Sequence, residues 1–165
     1  MSIYQAAMIT VSDKGFRGDR VDTAGPAACE LLKKIGFEIA YTSIVPDEKE
    51  YIQREVKKAC DELEIPLVFT CGGTGFSQRD ITPEAVSELF DRQAPGFAEA
   101  MRAESLKITP KAVLSRCVSG LRKSSIIITL PGSEKSASEN LTAILGALRH
   151  GVEMVVSIGS NECGK

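Results

Sequence analysis

Between Thr70 and Glu84 the chain reads TCGGTGFSQRDITPE, and these residue types suit the handling of phosphate. Gly72, Gly73 and Gly75 leave the backbone free to take positive φ and let a ligand approach main-chain amides with no β-carbon in the way. Asp80 follows, outside the cap position of the next helix and available to hold a cation. Taken alone, the glycines fit a tight turn at a strand end equally well. The loop is neither standard phosphate loop: it lacks the Gly-Lys-Ser/Thr ending of the ATPase motif and the third glycine of the dinucleotide fingerprint.

Such a turn has to be held by regular elements. The apolar run Pro66-Leu67-Val68-Phe69 predicts a strand before it, and Thr82 as N-cap with Pro83 at the first helical position predicts a helix after it. Upstream, Ile3 to Val11 reads as a strand feeding a polar, glycine-bearing loop that runs through Gly25. A helix then carries Ala28, Leu31, Leu32 and Ile35 on one stripe and stops at Gly36. Phe37 to Val45 alternates as a strand, and a helix runs on to about Leu63. Downstream of Pro83, two helical pieces are broken at Ala94-Pro95-Gly96, the second covering Phe97 to about Leu106. A short helix starts at Thr109-Pro110. Strands at Val118 to Arg122 and Ser125 to Leu130 follow, then a helix over Ser136 to Arg149; Val152 to Ile158 fits helix or strand. Strands alternating with helices predict an α/β fold, a three-layer α/β/α sandwich with a largely parallel central sheet.

Open α/β sheets bind ligands at the carboxyl ends of their strands, which directs attention to the other residues at such ends. Ser12 and Asp13 follow the first strand; they suit polar contacts with a ligand, or a turn that hydrogen-bonds itself. Asp47 follows the second, where it can face phosphate or serve as an N-cap with Glu50 completing a capping box. From Arg102 to Lys123 there are six basic residues, Arg102, Lys107, Lys111, Arg116, Arg122 and Lys123, against the single acid Glu104. That stretch suits an anionic ligand or a solvated helix face.

Composition narrows the remaining classes. The 165 residues are 43% hydrophobic with few aromatics, which suits a single domain over residues 1–165 with an aliphatic core. A net charge of −2 gives no reason to expect nucleic acid, and no apolar run reaches membrane-spanning length. With no secretory-type N-terminus, a cytoplasmic location is expected. The five cysteines are odd in number, scattered, and never spaced Cys-x-x-Cys, so they form neither a disulfide framework nor a zinc motif. Cys71 beside the turn reads as a small buried hydrophobe. His150, the only histidine, is not the sequence neighbour of a nucleophile loop and does not point to a hydrolase.

Taken together, Gly72-Gly73-Thr74-Gly75 and Arg79-Asp80-Ile81-Thr82-Pro83-Glu84 resemble the signature of the molybdopterin adenylyltransferase family, to which the bacterial MogA and MoaB proteins and gephyrin-type G domains belong. Further matches are Thr10-Val11-Ser12-Asp13, Asp22-Thr23-Ala24-Gly25-Pro26, Val45-Pro46-Asp47, Leu114-Ser115-Arg116 and Leu130-Pro131-Gly132. The chain departs from the family at Ser133-Glu134, where Asn or Gln followed by Pro is usual. That puts the side-chain contact at Ser133 in question. The resemblance implies transfer of AMP from ATP to molybdopterin with release of pyrophosphate, supported by Mg²⁺ on Asp47 and Asp80. It implies nucleotide contacts from Gly72, Gly73, Thr74, Gly75, Pro131, Gly132 and Ser133, and pterin contacts from Thr10, Ser12, Asp13, Ser115 and Arg116. It also implies a homo-oligomer, a trimer or hexamer. A non-catalytic pterin- or nucleotide-binding module in cofactor assembly is the alternative, and a flavodoxin-like redox protein shares the fold class.

Overall fold

A computed structural model describes residues 3–157. In them, strands β1 (Tyr4–Val11), β2 (Phe37–Val45), β3 (Leu67–Cys71), β4 (Arg92–Gln93), β5 (Ser119–Arg122) and β6 (Ser125–Leu130) form one sheet in the order β2-β1-β3-β6-β5-β4. β2, β1, β3 and β6 are mutually parallel; β5 runs antiparallel to β6, and β4 antiparallel to β5. The helices are α1 (Asp13–Arg17), α2 (Ala24–Lys34), α3 (Lys49–Lys57, continued by a π-helical turn at Lys58–Glu62), α4 (Thr82–Ser87), α5 (Gly96–Leu106) and α6 (Glu134–Val156), with a 3₁₀ turn at Pro110–Leu114.

The central strands β1, β3 and β6 bury both faces, as parallel strands covered by crossover helices must. Ala6 and Met8 of β1, Leu67 and Phe69 of β3, and Ile126 and Ile128 of β6 pack with α2, α5 and α6. Ala7 and Ile9, Val68 and Ile127 point the other way, against α3 and α4. This is the three-layer sandwich that the alternation of elements predicts. Register then sets the site: Thr10 lies opposite Cys71, and Cys71 opposite Leu130. Three strands therefore end side by side, and the loops that leave them start level.

Several boundaries differ from the sequence reading, each for a local reason. The loop after β1 contains α1, because Ser12 is its N-cap: its hydroxyl accepts from Gly15 N–H at 3.0 Å. Asp47 is not an N-cap and forms no capping box with Glu50; Glu48 holds that position without a side-chain bond, since the Asp47 carboxylate is turned toward Asp13. Thr82 is likewise not a cap; it is already inside α4, whose N-cap is Ile81. The helical piece from Pro83 stops at Ser87, well before the Ala94-Pro95-Gly96 break, because Arg92 and Gln93 pair with β5. Phe90 packs where Gly120 has no side chain; a β-carbon there would meet the ring at 2.4 Å. α6 starts at Glu134, capped by Ser133, and runs past Arg149 to Val156, so Val152 to Val156 is helical. Ile158 and Cys163 lie outside the described residues.

Candidate functional site

The glycine turn is wedged between the ends of β1 and β6. Gly72 has φ +113°, donates its N–H to Leu130 O at 3.0 Å, and would carry a β-carbon 2.2 Å from Val11 O. Only glycine fits, because a backbone carbonyl in a sheet cannot move aside. Gly73, at φ +67°, faces Thr82 Oγ1 and Asp47 Oδ1, and Gly132 backs onto Gly72 Cα. With Gly72 N–H committed to β6, the donors left to a ligand are Gly73, Thr74 and Gly75, whose N–H groups have no acceptor among the described residues. Successive unpaired amides of this kind make an anion cradle.

Arg116 holds that cradle in shape. Its Nε donates to Gly75 O at 2.9 Å, its Nη2 to Asp80 O, its Nη1 to the Glu84 carboxylate, and its backbone N–H to Thr74 O at 3.1 Å. One guanidinium thus ties the turn, the loop that bears Asp80 and the first turn of α4 together.

Two carboxylate arrangements lie beside the turn. Asp13 and Asp47 exchange backbone-to-carboxylate bonds: Asp13 N–H donates to Asp47 Oδ2 at 2.9 Å and Asp47 N–H to Asp13 Oδ1 at 3.0 Å. Arg79 grips Asp13 with two bonds, Nε to Oδ2 at 2.6 Å and Nη2 to Oδ1 at 2.9 Å. The guanidinium holds the Asp13 carboxyl below the usual carboxylate range. Asp47 goes the opposite way: burial pushes its carboxyl up, and the negative charges of Asp13 and Asp80 push further, against the Asp13 N–H. Asp80 is held by Ser77 N–H on Oδ2 at 3.0 Å.

Two clefts open on either side of the turn. The first, of ≈ 280 Å³, is lined by Thr10, Ser12, Asp22, Asp47, Gly72 and Ser133 among others; the second, of ≈ 420 Å³, by Thr74, Gly75, Arg102, Lys111, Ser115 and Asn140 among others. Gly73, Asp80 and Gly132 belong to both. The turn and one carboxylate therefore form the shared wall.

The structure brings most of the expected residues to these clefts but divides one set. Thr10 and Ser12 face the first cleft, Ser115 the second, and Pro131 lines the second beside Gly132. The side chains of Asp13 and Arg116 face neither; they brace Asp47 and the turn. Ser133 lines the first cleft while its hydroxyl accepts from Ser136 N–H at 3.1 Å as the cap of α6. The basic stretch is also divided. Arg102 and Lys111 reach the second cleft, whereas Lys107 pairs with Glu104, and Arg122 and Lys123 pair with Asp61 at the opposite end of the sheet. Cys71 is buried, its Sγ within 3.2 Å of Pro131 O, and burial pushes the thiol up to about 12, so it is no nucleophile.

Three contributors escaped the sequence reading as site residues. Asp22 anchors Thr10, accepting from its Oγ1 at 2.6 Å, and accepts from Gly25 N–H at the start of α2. Arg79 carries the Asp13 brace. Asn140 lies in the second cleft on the inward stripe of α6 between Ala137 and Ile144; a polar residue on an apolar stripe is the signal that would have marked it.

The chain is similar to known proteins over most of its length. Residues 7–150 match the family described as probable molybdopterin binding domain. A protein of Helicobacter pylori named molybdopterin adenylyltransferase is 39% identical over 158 residues, covering 94% of this chain and 90% of that protein. The protein of the same name in Escherichia coli K12 is 38% identical over 150 residues, covering 89% and 76%. The crystal structure of the molybdopterin biosynthesis enzyme MoaB from Thermus thermophilus superposes with a TM-score of 0.89 at 46% identity, covering 93% and 96%.

Proposed function

The chain belongs to the family of probable molybdopterin binding domains, and from that premise we propose that it is a molybdopterin adenylyltransferase of molybdenum cofactor biosynthesis. It transfers AMP from ATP to the terminal phosphate of molybdopterin and releases pyrophosphate. The observation that carries this reading is the shared wall: two clefts meet across Gly73, Asp80 and Gly132, as a reaction between two bound substrates requires.

The chemistry is a displacement at phosphorus. A phosphate oxygen of molybdopterin bonds to the α-phosphorus of ATP while the bond to the bridging oxygen of pyrophosphate breaks. The protein's work in such a step is alignment and charge stabilisation. The free amides of Gly73, Thr74 and Gly75 hold ATP phosphate oxygens, and Pro131, Gly132 and Ser133 bound the nucleotide from β6. Gly72 contributes shape, since its N–H is bonded to β6. Thr10 and Ser12 face the substrate held in the first cleft and Ser115 the one held in the second. Asp13 and Arg116 act through Asp47 and the turn.

No group of three or more His, Cys, Asp or Glu is arranged to hold a metal among the described residues. A pair of carboxylates is nevertheless what Mg²⁺ uses when nucleotide phosphates and water complete its shell. Asp47 and Asp80 supply that pair, and each keeps one oxygen free of protein donors among the described residues. When bound, the ion offsets charge that builds on the α-phosphate and on pyrophosphate.

No helix among the described residues is long and apolar enough to cross a membrane; cytoplasmic operation and a homo-oligomeric state are part of the same proposal. The test is pyrophosphate release on mixing the protein with ATP, Mg²⁺ and molybdopterin, with AMP recovered on the pterin. Binding of both ligands with no pyrophosphate formed would replace the enzyme by a binding module.

A further inference from the structure

Thr82 is fully buried, and its Oγ1 has no hydrogen-bond partner among the described residues. A hydroxyl kept in that condition destabilises the fold, and valine would fill the same space without the loss. The position of the hydroxyl gives the reason to keep it. The point that a Gly73 β-carbon would occupy lies 2.3 Å from Thr82 Oγ1 and 3.0 Å from Asp47 Oδ1. Gly73 therefore leaves open a space bordered by an unused donor and a carboxylate oxygen. On Asp47 the protein's backbone donor, Asp13 N–H, goes to Oδ2, and Oδ1 receives no protein donor among the described residues. Thr82 N–H is itself bonded to Gly73 O at 3.1 Å, so threonine, glycine and carboxylate are held as one unit.

Carboxylates that ligate a metal are themselves fixed by hydrogen bonds from residues behind them, and loss of such a bond weakens metal affinity. We propose that Thr82 is a positioning residue for Asp47: its O–H donates to Oδ1 when a divalent cation is bound, fixing the rotation of the carboxylate. The inference rests on the reading of Asp47 and Asp80 as the cation pair, and it adds a residue that contacts neither cation nor substrate. It also gives Gly73 a second purpose besides its positive φ, because any side chain there would fill the gap the bond must cross.

The experiment uses Mn²⁺ alone, titrated into nucleotide-free protein with free ion read by electron paramagnetic resonance, beside thermal melting in metal-free buffer. Thr82→Val is expected to lose affinity for Mn²⁺ by about ten-fold while its metal-free melting temperature stays level or rises. Thr82→Ser, which restores the hydroxyl, is expected to regain most of the affinity. Wild-type Mn²⁺ affinity in Thr82→Val overturns the proposal, as does a loss that Thr82→Ser shares. A lowered metal-free melting temperature in Thr82→Val also overturns it, by showing that the hydroxyl serves the fold. Asp80→Asn separates the two levels: Mn²⁺ affinity unaffected by that change removes the cation pair itself, and with it the role of Thr82.

Discussion

The two ends of the sheet treat aspartate in opposite ways. At the amino end Asp61, carried by the π-helical turn after α3, receives Arg122 Nε at 3.0 Å and Nη2 at 2.6 Å, with Lys123 Nζ at 3.3 Å. Those cations hold its carboxyl below the usual range. At the carboxyl end, Asp47 and Asp80 have no salt-bridge partner among the described residues; burial and neighbouring carboxylates push Asp47 upward. Arg79 is committed to Asp13, and Arg116 to backbone carbonyls and Glu84. A carboxylate neutralised within the protein has little left to offer a ligand, whereas one left uncompensated raises the energy of the empty site and is repaid by a bound cation. Functional sites are where such strain is tolerated.

This contrast is open to direct attack. The largest effect is expected from Asp80→Asn: AMP transfer falls by about 10²-fold or more, as for loss of a preorganised charge-stabilising group, with melting temperature unchanged. A mutant that keeps wild-type pyrophosphate release would cancel the distinction between the ends. Gly72→Ala comes next, because its β-carbon meets Val11 O at 2.2 Å in a left-handed backbone. Urea unfolding is expected to show a loss of about 3 kcal/mol, at the upper end for such backbone strain, together with loss of turnover.

Asp61→Asn is expected to cost about 1–2 kcal/mol, the worth of a partly buried charge-assisted bond, and to leave AMP transfer at saturating substrate untouched. The smallest effect concerns pH. Because the folded Asp61 carboxyl is lowered, its contribution is present above the unfolded value and lost as pH falls through the folded one. For Asp47 the shift is upward, so its contribution is present below the unfolded value and lost as pH rises through the folded one. Asp47→Asn should therefore gain stability over wild type as pH rises from the acid side to neutral, while Asp61→Asn should lose it over its own, more acidic range. Melting curves across that range check both signs; parallel slopes would erase the comparison.

Much of this was legible in the chain itself. Strand and helix periodicities marked the layers, since an apolar run bounded by turn residues has few other options. The three glycines and Asp80 marked the wall of the clefts. What could not be read were the partners. Arg116 and Arg122 stand six positions apart in one basic stretch, yet one braces the glycine turn and the other neutralises Asp61. β5 causes the separation, because it runs against its neighbours and carries its last residues to the amino end. Asp13 and Asp47 both looked like ligand contacts, and only their reciprocal bonds show that the first supports the second.

The order of residues fixed the α/β layering and the chemical types gathered at the strand ends, because propensity and hydrophobic period are properties of neighbouring positions. Folding alone settled which carboxylates are paired with a guanidinium inside the protein. Arg79 and Asp13 are 66 positions apart, and Arg122 and Asp61 are 61 apart. Electrostatic compensation acts through space over a few ångströms, a distance that a one-dimensional reading of the chain does not contain.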